Sequence, residues 1–112
     1  MFGKNNKEEK PDLEAFAIYD SKVESYGDPK FAINQHDFIR GVLNMFKDPA
    51  NAQNQFYLNA EDFSLFKIGS YYRKTGTFVP QNPAHCANLH ELRAIADKER
   101  AGVSRDVSPG AL

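Results

Sequence analysis

The stretch FSLFKIGSYYRKTGTFV, Phe63 to Val79, places the strongest limit on how this chain can fold. Apolar and polar residues alternate imperfectly over residues 63–72, which is typical of a strand that is mostly buried. This alternation predicts Phe66 and Ile68 on one side of the strand, and Leu65, Lys67 and Tyr71 on the other. Thr75-Gly76 suits a short loop, because glycine adopts left-handed backbone geometry without steric cost. Residues 77–79 then return as the partner strand of a β-hairpin.

A helix is predicted over residues 35–47. Asn34 is a good N-cap, and Asp37 three residues later completes a weak capping box. The segment HDFIRGVLNMFKD places a broad apolar face at three- and four-residue spacing. Asp48-Pro49 ends the helix, because proline disfavours helical geometry in the residue before it.

Extended segments are predicted before this helix. Phe16, Ile18 and their small neighbours indicate a strand that ends at Asp20-Ser21. Gly27-Asp28-Pro29 is a turn signal, and residues 30–33 suit a second short strand.

A second helix is predicted over residues 89–101. Asn88 and Glu91 resemble an N-cap pair, and Gly102 suits the residue that follows a helix end. Pro80 and Pro83 are expected to interrupt regular structure between the hairpin and this helix. Its apolar stripe of Leu89, Leu92 and Ala96, with Ile95 as a candidate fourth member, is thin for a core helix. We therefore expect this helix outside the main unit, on the domain surface or on another subunit.

These elements predict an α+β fold. A small antiparallel β-sheet, from residues of about 14–33 and 63–80, packs on one main helix, with a C-terminal helix and flexible termini. The expected organisation is a flexible N-terminal arm at 1–12, a single α+β domain at 13–101 and a flexible C-terminal tail at 102–112. A hairpin with one helix is marginally stable at this size, so a dimer or larger homo-oligomer is expected.

Composition limits the classes of function. The chain has 112 residues and a net charge of −1, so it has no overall basic field for nucleic acid. Its single cysteine, Cys86, suits a reducing compartment. No apolar run approaches the length of a membrane span, and the start MFGKNNKEEKPD is neither a signal peptide nor an anchor. The expected protein is intracellular and soluble.

The sequence predicts no catalytic, metal or cofactor site. His85-Cys86 and His90 are the only cluster that suggests a metal, but a closed zinc site needs four ligands. Cys86 lacks a recognisable base and oxyanion hole for nucleophilic catalysis. Adjacent carboxylates point to different sides, and glycine-rich phosphate loops are absent.

The hairpin is the best binding candidate. Residues 63–79 contain Lys67, Arg73 and Lys74 and no acid, which gives this segment a charge of +3. Rings interleaved with cations are typical of proteins that bind single-stranded nucleic acid. The predicted nucleic-acid-binding residues are Lys67, Tyr71, Tyr72, Arg73 and Lys74, with Lys22 and Lys30 on the neighbouring strand. An ordinary structural hairpin with a solvated tip is the alternative.

Residues 17–78 resemble a known family in their order of motifs. The motifs that carry the resemblance are Tyr19-Asp20-Ser21-Lys22, Asp48-Pro49, Glu61-Asp62-Phe63, Leu65-Phe66, Gly69 and Thr75-Gly76. The chain is similar to the small non-structural protein of gokushoviruses, which are tailless icosahedral single-stranded DNA phages of the microvirus family. Two departures are Asn59-Ala60, where the family usually has His-Pro, and the basic Tyr72-Arg73-Lys74, where relatives are often acidic.

The resemblance implies a protein made during infection in the bacterial cytoplasm and absent from the mature virion. Its implied role is binding single-stranded viral DNA at the change from genome replication to packaging. No catalytic residues accompany it. The alternative is a non-enzymatic protein-interaction module that acts on the replication machinery or on procapsid assembly.

Overall fold

The computed structural model describes the backbone of residues 9–111 and the side chains of residues 9–102. Residues 1–8, most of the predicted N-terminal arm, lie outside the described residues, as does Leu112 at the end of the predicted tail. The last residue of that arm, Asp12, is hydrogen-bonded to the hairpin, because its N–H donates to the carbonyl of Tyr71 at 2.9 Å.

Strands and helices follow the predicted α+β order, and the fold class is confirmed. The elements are β1 (Leu13–Asp20), β2 (Ser25–Tyr26), β3 (Lys30–Ala32), α1 (Gln35–Lys47), α2 (Gln55–Leu58), β4 (Phe63–Tyr72), β5 (Thr77–Asn88) and α3 (Leu89–Ala111), with 3₁₀ turns at Pro49–Asn51 and Ala60–Asp62. None of the helices within residues 9–111 combines the length and the hydropathy that crossing a bilayer requires.

The strands form one antiparallel sheet in the order β2-β1-β4-β5. The short strand β3 also pairs with β1, on the same edge as β2. The predicted hairpin is β4–β5. Gly76 in its loop has a φ of 66°, which lies in the left-handed region that the sequence predicted. Strand β1 therefore lies inside the sheet, and β5 forms an edge.

Strand β5 is longer than predicted. Pro80 and Pro83 do not end it, and it continues to Asn88. Proline lacks the N–H that an inner strand would donate, but an edge strand has a free side that needs no donor. The pairing with β4 becomes irregular between Lys67 and Gly69, where this proline-containing segment lies opposite.

Helix α1 has the predicted bounds. The Oδ1 of Asn34 accepts a hydrogen bond from the N–H of Asp37 at 2.8 Å, which confirms the N-cap. Asp48 follows the last helical residue in an extended conformation, with Pro49 after it. Local sequence signals alone fix this helix.

The core lies between one face of the sheet and the helices. Phe16, Phe63 and Leu65 from the strands pack with Val42 and Phe46 of α1. The α3 residues of this core are Leu89, Leu92 and Ala96, which are 0%, 4% and 0% exposed. The prediction that this helix lies outside the main unit is therefore wrong, because a narrow stripe is enough when α1 and the sheet already cover the remaining apolar surface.

Polar contacts hold α3 against α1 and against the connection between α1 and β4. Arg93 donates to the carbonyl of Tyr57 at 2.7 Å, and Arg100 donates to the carbonyl of Phe46 at 2.9 Å. Arg93 also pairs with Glu61, and this hydrogen bond lowers the pKa of the Glu61 carboxyl below its usual value. Long arginine side chains thus add contacts that the apolar stripe does not supply.

Helix α3 also extends beyond its predicted end. It continues to Ala111, so Gly102 lies inside the helix instead of following it. Glycine weakens a helix by roughly 1 kcal/mol relative to alanine but does not by itself end one. The helix backbone covers residues for which the sequence predicted a flexible tail, and the flexibility of that segment stays a prediction.

Candidate nucleic-acid interface

Within residues 9–111, no helix packs on one face of the sheet, which is called the open face here. Residues directly opposite each other on paired strands point to the same side of a sheet. Phe16, Ile18 and Leu65 face the helices, so the positions that alternate with them face away. The register assigns these residues to the open face: Leu13, Ala15, Ala17, Tyr19, Tyr26, Phe31, Ser64, Phe66, Gly69, Tyr71, Phe78, Pro80, His85 and Asn88.

A first group of rings on the open face lies at the end of β1 near Asp20. The Tyr26 ring is 4.8 Å from that of Tyr19 and 5.5 Å from that of Phe66, measured between centroids. The His85 ring lies 5.4 Å from Phe66, edge to face. Oδ1 of Asn88 accepts a hydrogen bond from the hydroxyl of Ser64 at 3.0 Å. It also lies 2.8 Å from Nε2 of His85, which donates to it in the tautomer that carries the proton on Nε2. These contacts hold the rings at fixed positions on the sheet.

A second group of rings lies at the other end of β1, next to the hairpin loop. The Phe31 centroid is 6.3 Å from that of Tyr71 and 6.3 Å from that of Phe78. Phe31 is 51% exposed and Phe78 is 42% exposed. Between the two groups, Ala15 and Ala17 form a floor of small side chains. The open face therefore presents aromatic surface to solvent at both of its ends.

Gly69 keeps the second ring group in place. A Cβ atom there would lie 2.3 Å from Cζ of Phe78 and 2.9 Å from the carbonyl oxygen of Val79. Contacts this short force the ring and the backbone of β5 to move. The glycine that carries part of the family resemblance thus leaves room for the Phe78 ring next to β4.

We expect Gly69→Ala to destabilise the protein by about 1–3 kcal/mol, because the added methyl overpacks the site. Gly41→Ala is the matched control, since a Cβ at Gly41 meets nothing within 4 Å. Gly41 lies in α1, where alanine is expected to stabilise by about 0.5–1 kcal/mol. Urea denaturation followed by circular dichroism measures both. Equal effects for the two variants would contradict the packing of Phe78 on Gly69.

Charge is arranged around the open face and not on it. The residues assigned to this face include no Asp, Glu, Lys or Arg. Arg73 and Lys74 are exposed in the hairpin loop beyond one end of β1, and Lys22 is exposed in the turn beyond the other end. Arg73 and Lys74 have Asp12 as their acidic neighbour, whereas Lys22 lies between Asp20 and Glu24, so the hairpin end of the sheet carries the net positive charge.

The structure separates the residues that the sequence grouped as a binding site. Tyr71 lies on the open face beside Phe31, whereas Tyr72, the next residue of β4, lies on the opposite side. Lys67 lies opposite Phe16, faces the helix side and pairs with Glu14 at 3.2 Å. Lys30 is also opposite Phe16 and shares that side.

The remaining predicted residues lie in turns. Arg73 is held at the hairpin loop, because its backbone N–H donates to the carboxylate of Asp12 at 2.7 Å. Lys74 follows it and is exposed, and the backbone N–H of Lys22 donates to Asp20 at 2.9 Å. The structure thus brings Arg73 and Lys74 near the second ring group but places Lys22 at the far end of the sheet. Their contact with nucleic acid stays a prediction.

Most of the open-face rings were missed from the sequence. The missed rings are spread over all five strands, and no short motif joins them. They are Tyr19, Tyr26, Phe31, Phe66, Phe78 and His85. The available signal was the high aromatic content, with nine Phe, five Tyr and no Trp. Composition does not show which rings share a face.

Cys86 lies on the helix side of β5 and contributes to the core surroundings. Burial raises the pKa of its thiol, which lowers the thiolate fraction at neutral pH. Among the residues that the structure describes, no three His, Cys, Asp or Glu side chains gather in a metal-ligating group. The open face remains the main candidate site.

Comparison with known proteins gives one match. A family model described as Phage ORF5 protein matches residues 13–92, which span the strands and the start of α3. No curated protein and no solved structure matches the chain.

Proposed function

The chain belongs to the Phage ORF5 protein family, and on that premise we propose that it is a non-structural protein that binds single-stranded viral DNA. It acts by stoichiometric binding, without catalysis, when the phage changes from genome replication to packaging. The motifs that resemble gokushovirus proteins suggest a microvirus as its source. The cytoplasm of the infected bacterium is then its place of action, and the mature virion lacks it.

The observation that carries this proposal is an aromatic sheet face without charged side chains. Bases stack on such rings with roughly 1–3 kcal/mol each, and stacking tolerates any base because every base has a π-face. Phe31 and Phe78 are 51% and 42% exposed, and Tyr26 is 44% exposed. Carboxylates that would repel a phosphate backbone are absent from the residues of this face.

The phosphates are expected to contact cations at the ends of the sheet. Arg73 and Lys74 extend from the hairpin loop, next to the rings of Tyr71 and Phe78. The net charge of −1 provides little general attraction for DNA, so the local cations must supply it. A homo-oligomer would place several such loops along one strand and add their contributions.

A protein partner is the competing occupant of the same face. Exposed rings without charge also suit a protein surface on the replication machinery or the procapsid. The two functions differ in salt dependence, because phosphate contacts release counterions and apolar protein contacts do not.

Charge reversal in the hairpin loop tests the proposal. We expect Arg73→Glu with Lys74→Glu to weaken binding of a labelled single-stranded oligonucleotide. We also expect the slope of log K against log salt concentration to become shallower by about 1.4, since each lost phosphate contact is worth about 0.7 for single strands. Fluorescence anisotropy at several salt concentrations, with a duplex competitor, gives both quantities.

The matched control is Arg40→Glu with Lys98→Glu, which makes the same change in net charge on exposed helix positions. This control is expected to leave the slope nearly unchanged. Equal effects of the two pairs would indicate general attraction and would remove the hairpin loop from the site. Absence of binding by the unmodified protein at low salt would overturn the DNA-binding function and favour a protein partner.

A further inference from the structure

A cavity of about 360 Å³ opens at the edge of the sheet, between β1 and the helices. Strand β2 pairs with Tyr19 and Asp20, and β3 pairs with residues 14–16. The connection through Gly27 and Asp28 spans the gap between these pairings and forms one wall. The cavity is thus a consequence of an edge that is made of two short strands instead of one.

Aromatic rings from the core line its interior. Phe16 and Phe38 have centroids 4.9 Å apart, and Phe56 and Phe63 have centroids 4.9 Å apart. All four residues border the cavity, but Phe16 is 0% and Phe63 6% exposed, so Phe38 and Phe56 supply most of its accessible aromatic wall. A mainly apolar cavity of this volume is within the range of sites that take a small ligand.

The rim of the cavity is polar and carries a net negative charge. Asp20, Asp28 and Lys30 line it together with Ser25 and Gln55. Oδ1 of Asp20 accepts the N–H of Lys22 at 2.9 Å, which leaves its second oxygen available. Two carboxylates against one ammonium group disfavour a free anion but accept hydrogen bonds from N–H donors on a neutral ring.

We propose that this cavity holds one unstacked nucleobase of the bound strand and prefers bases with an exocyclic amino group over thymine. The inference rests on the proposed function, since the strand on the open face supplies the base. The amino group donates to Asp20 or Asp28, as carboxylates accept from cytosine N4 in other complexes. The 4-oxo group of thymine presents an acceptor to the same carboxylates and is disfavoured.

The cavity lies on the helix side of the sheet and meets the first ring group of the open face at the β2 edge, where Tyr26 lies. Tyr26 lines the cavity and also packs against Tyr19 and Phe66 on the open face. A strand that stacks on these rings can pass the short β2 edge and place its next base in the cavity. The shared position of Tyr26 favours a base of the same strand over an unrelated small molecule.

The test compares oligodeoxycytidine with oligodeoxyuridine of equal length at pH 7.5. The two bases are similar in size, and both lack the thymine methyl group, so the hydrogen-bonding edge is the main difference. We expect the cytidine strand to bind about tenfold more tightly, which one charge-assisted hydrogen bond of ordinary strength supplies. Anisotropy measures the affinities, and titration with the single nucleosides, followed by NMR of Ile18 and Val23 methyl groups, locates the base.

Ser25→Trp is expected to fill the cavity and to reduce the tenfold preference to near unity while binding of both strands persists. Ser21→Trp is the matched control, because Ser21 is exposed in the same turn but does not line the cavity. Asp20→Ala with Asp28→Ala is a second variant, which removes both acceptors and is expected to lose the same preference with the cavity unfilled.

Failure of this inference differs from failure of the proposed function. Equal affinity for the two strands, or a preference that Ser25→Trp leaves unchanged, would overturn the base cavity while DNA binding stands. Nucleoside shifts at Ile18 and Val23 without binding of any strand would overturn the proposed function and also the same-strand origin of the base.

Discussion

Replacing Phe31 and Phe78 together by alanine is expected to weaken single-stranded DNA binding by about 30-fold or more. The estimate follows from roughly 1–3 kcal/mol of stacking for each ring, added over two rings. Both side chains are about half exposed, at 51% and 42%, so their loss removes little of the buried core. Fluorescence anisotropy with a labelled oligonucleotide measures the loss, and circular dichroism confirms that the fold persists.

The control removes equal apolar exposure elsewhere. Leu58 on α2 and Ile95 on α3 are 48% and 44% exposed, and neither lies in the sheet. Leu58→Ala with Ile95→Ala is expected to leave the affinity within about twofold. Loss of binding in both double variants would mean that the open face is not the specific site. Unchanged binding in Phe31→Ala with Phe78→Ala would assign the DNA to another surface.

Phe16→Ala is expected to lower the free energy of unfolding by about 3–5 kcal/mol, because it empties a large buried position. The Phe16 side chain is 0% exposed and packs 4.9 Å from Phe38 between the sheet and α1. Domains of this kind have total stabilities of about 5–15 kcal/mol, so the variant loses a large share of its stability. Urea denaturation followed by circular dichroism gives the difference.

Ile33→Ala is the matched comparison for this core substitution. Ile33 is also a large apolar residue, but it is 64% exposed. We expect a change within about 0.5 kcal/mol, as for most surface positions. A cost for Phe16→Ala below about 1 kcal/mol would show that the sheet and α1 do not form the core around this ring.

Local sequence signals were enough to predict helix α1 and the hairpin loop. The cap at Asn34 and the stop at Asp48-Pro49 predicted α1 with its observed bounds. The loop at Thr75-Gly76 predicted the hairpin, because left-handed geometry strongly favours glycine. These signals act within a few residues, so no distant contact is needed to interpret them.

The position of α3 could not be read in the same way. Its stripe of Leu89, Leu92 and Ala96 indicated a surface helix, yet these residues are buried in the core. The width of an apolar stripe gives the surface that a helix can bury. Stripe width does not show how much apolar surface the neighbouring elements leave uncovered. It also does not show the arginine contacts to Tyr57 and Phe46 that hold the helix in place.

The sequence by itself determined the helix α1, the hairpin loop and the α+β class, whereas only the tertiary structure decided which rings share a face. Strict alternation along β4 predicted Phe66 and Tyr71 on opposite sides. In the sheet, Lys67 pairs with Phe16 and Gly69 with Ala15, so Ile68 is one extra residue in β4. Such a bulge shifts the alternation by one residue and brings Phe66 and Tyr71 to the same face. Strand register depends on partners that lie far away in the sequence. For this reason the sequence alone could not predict which residues share the open face.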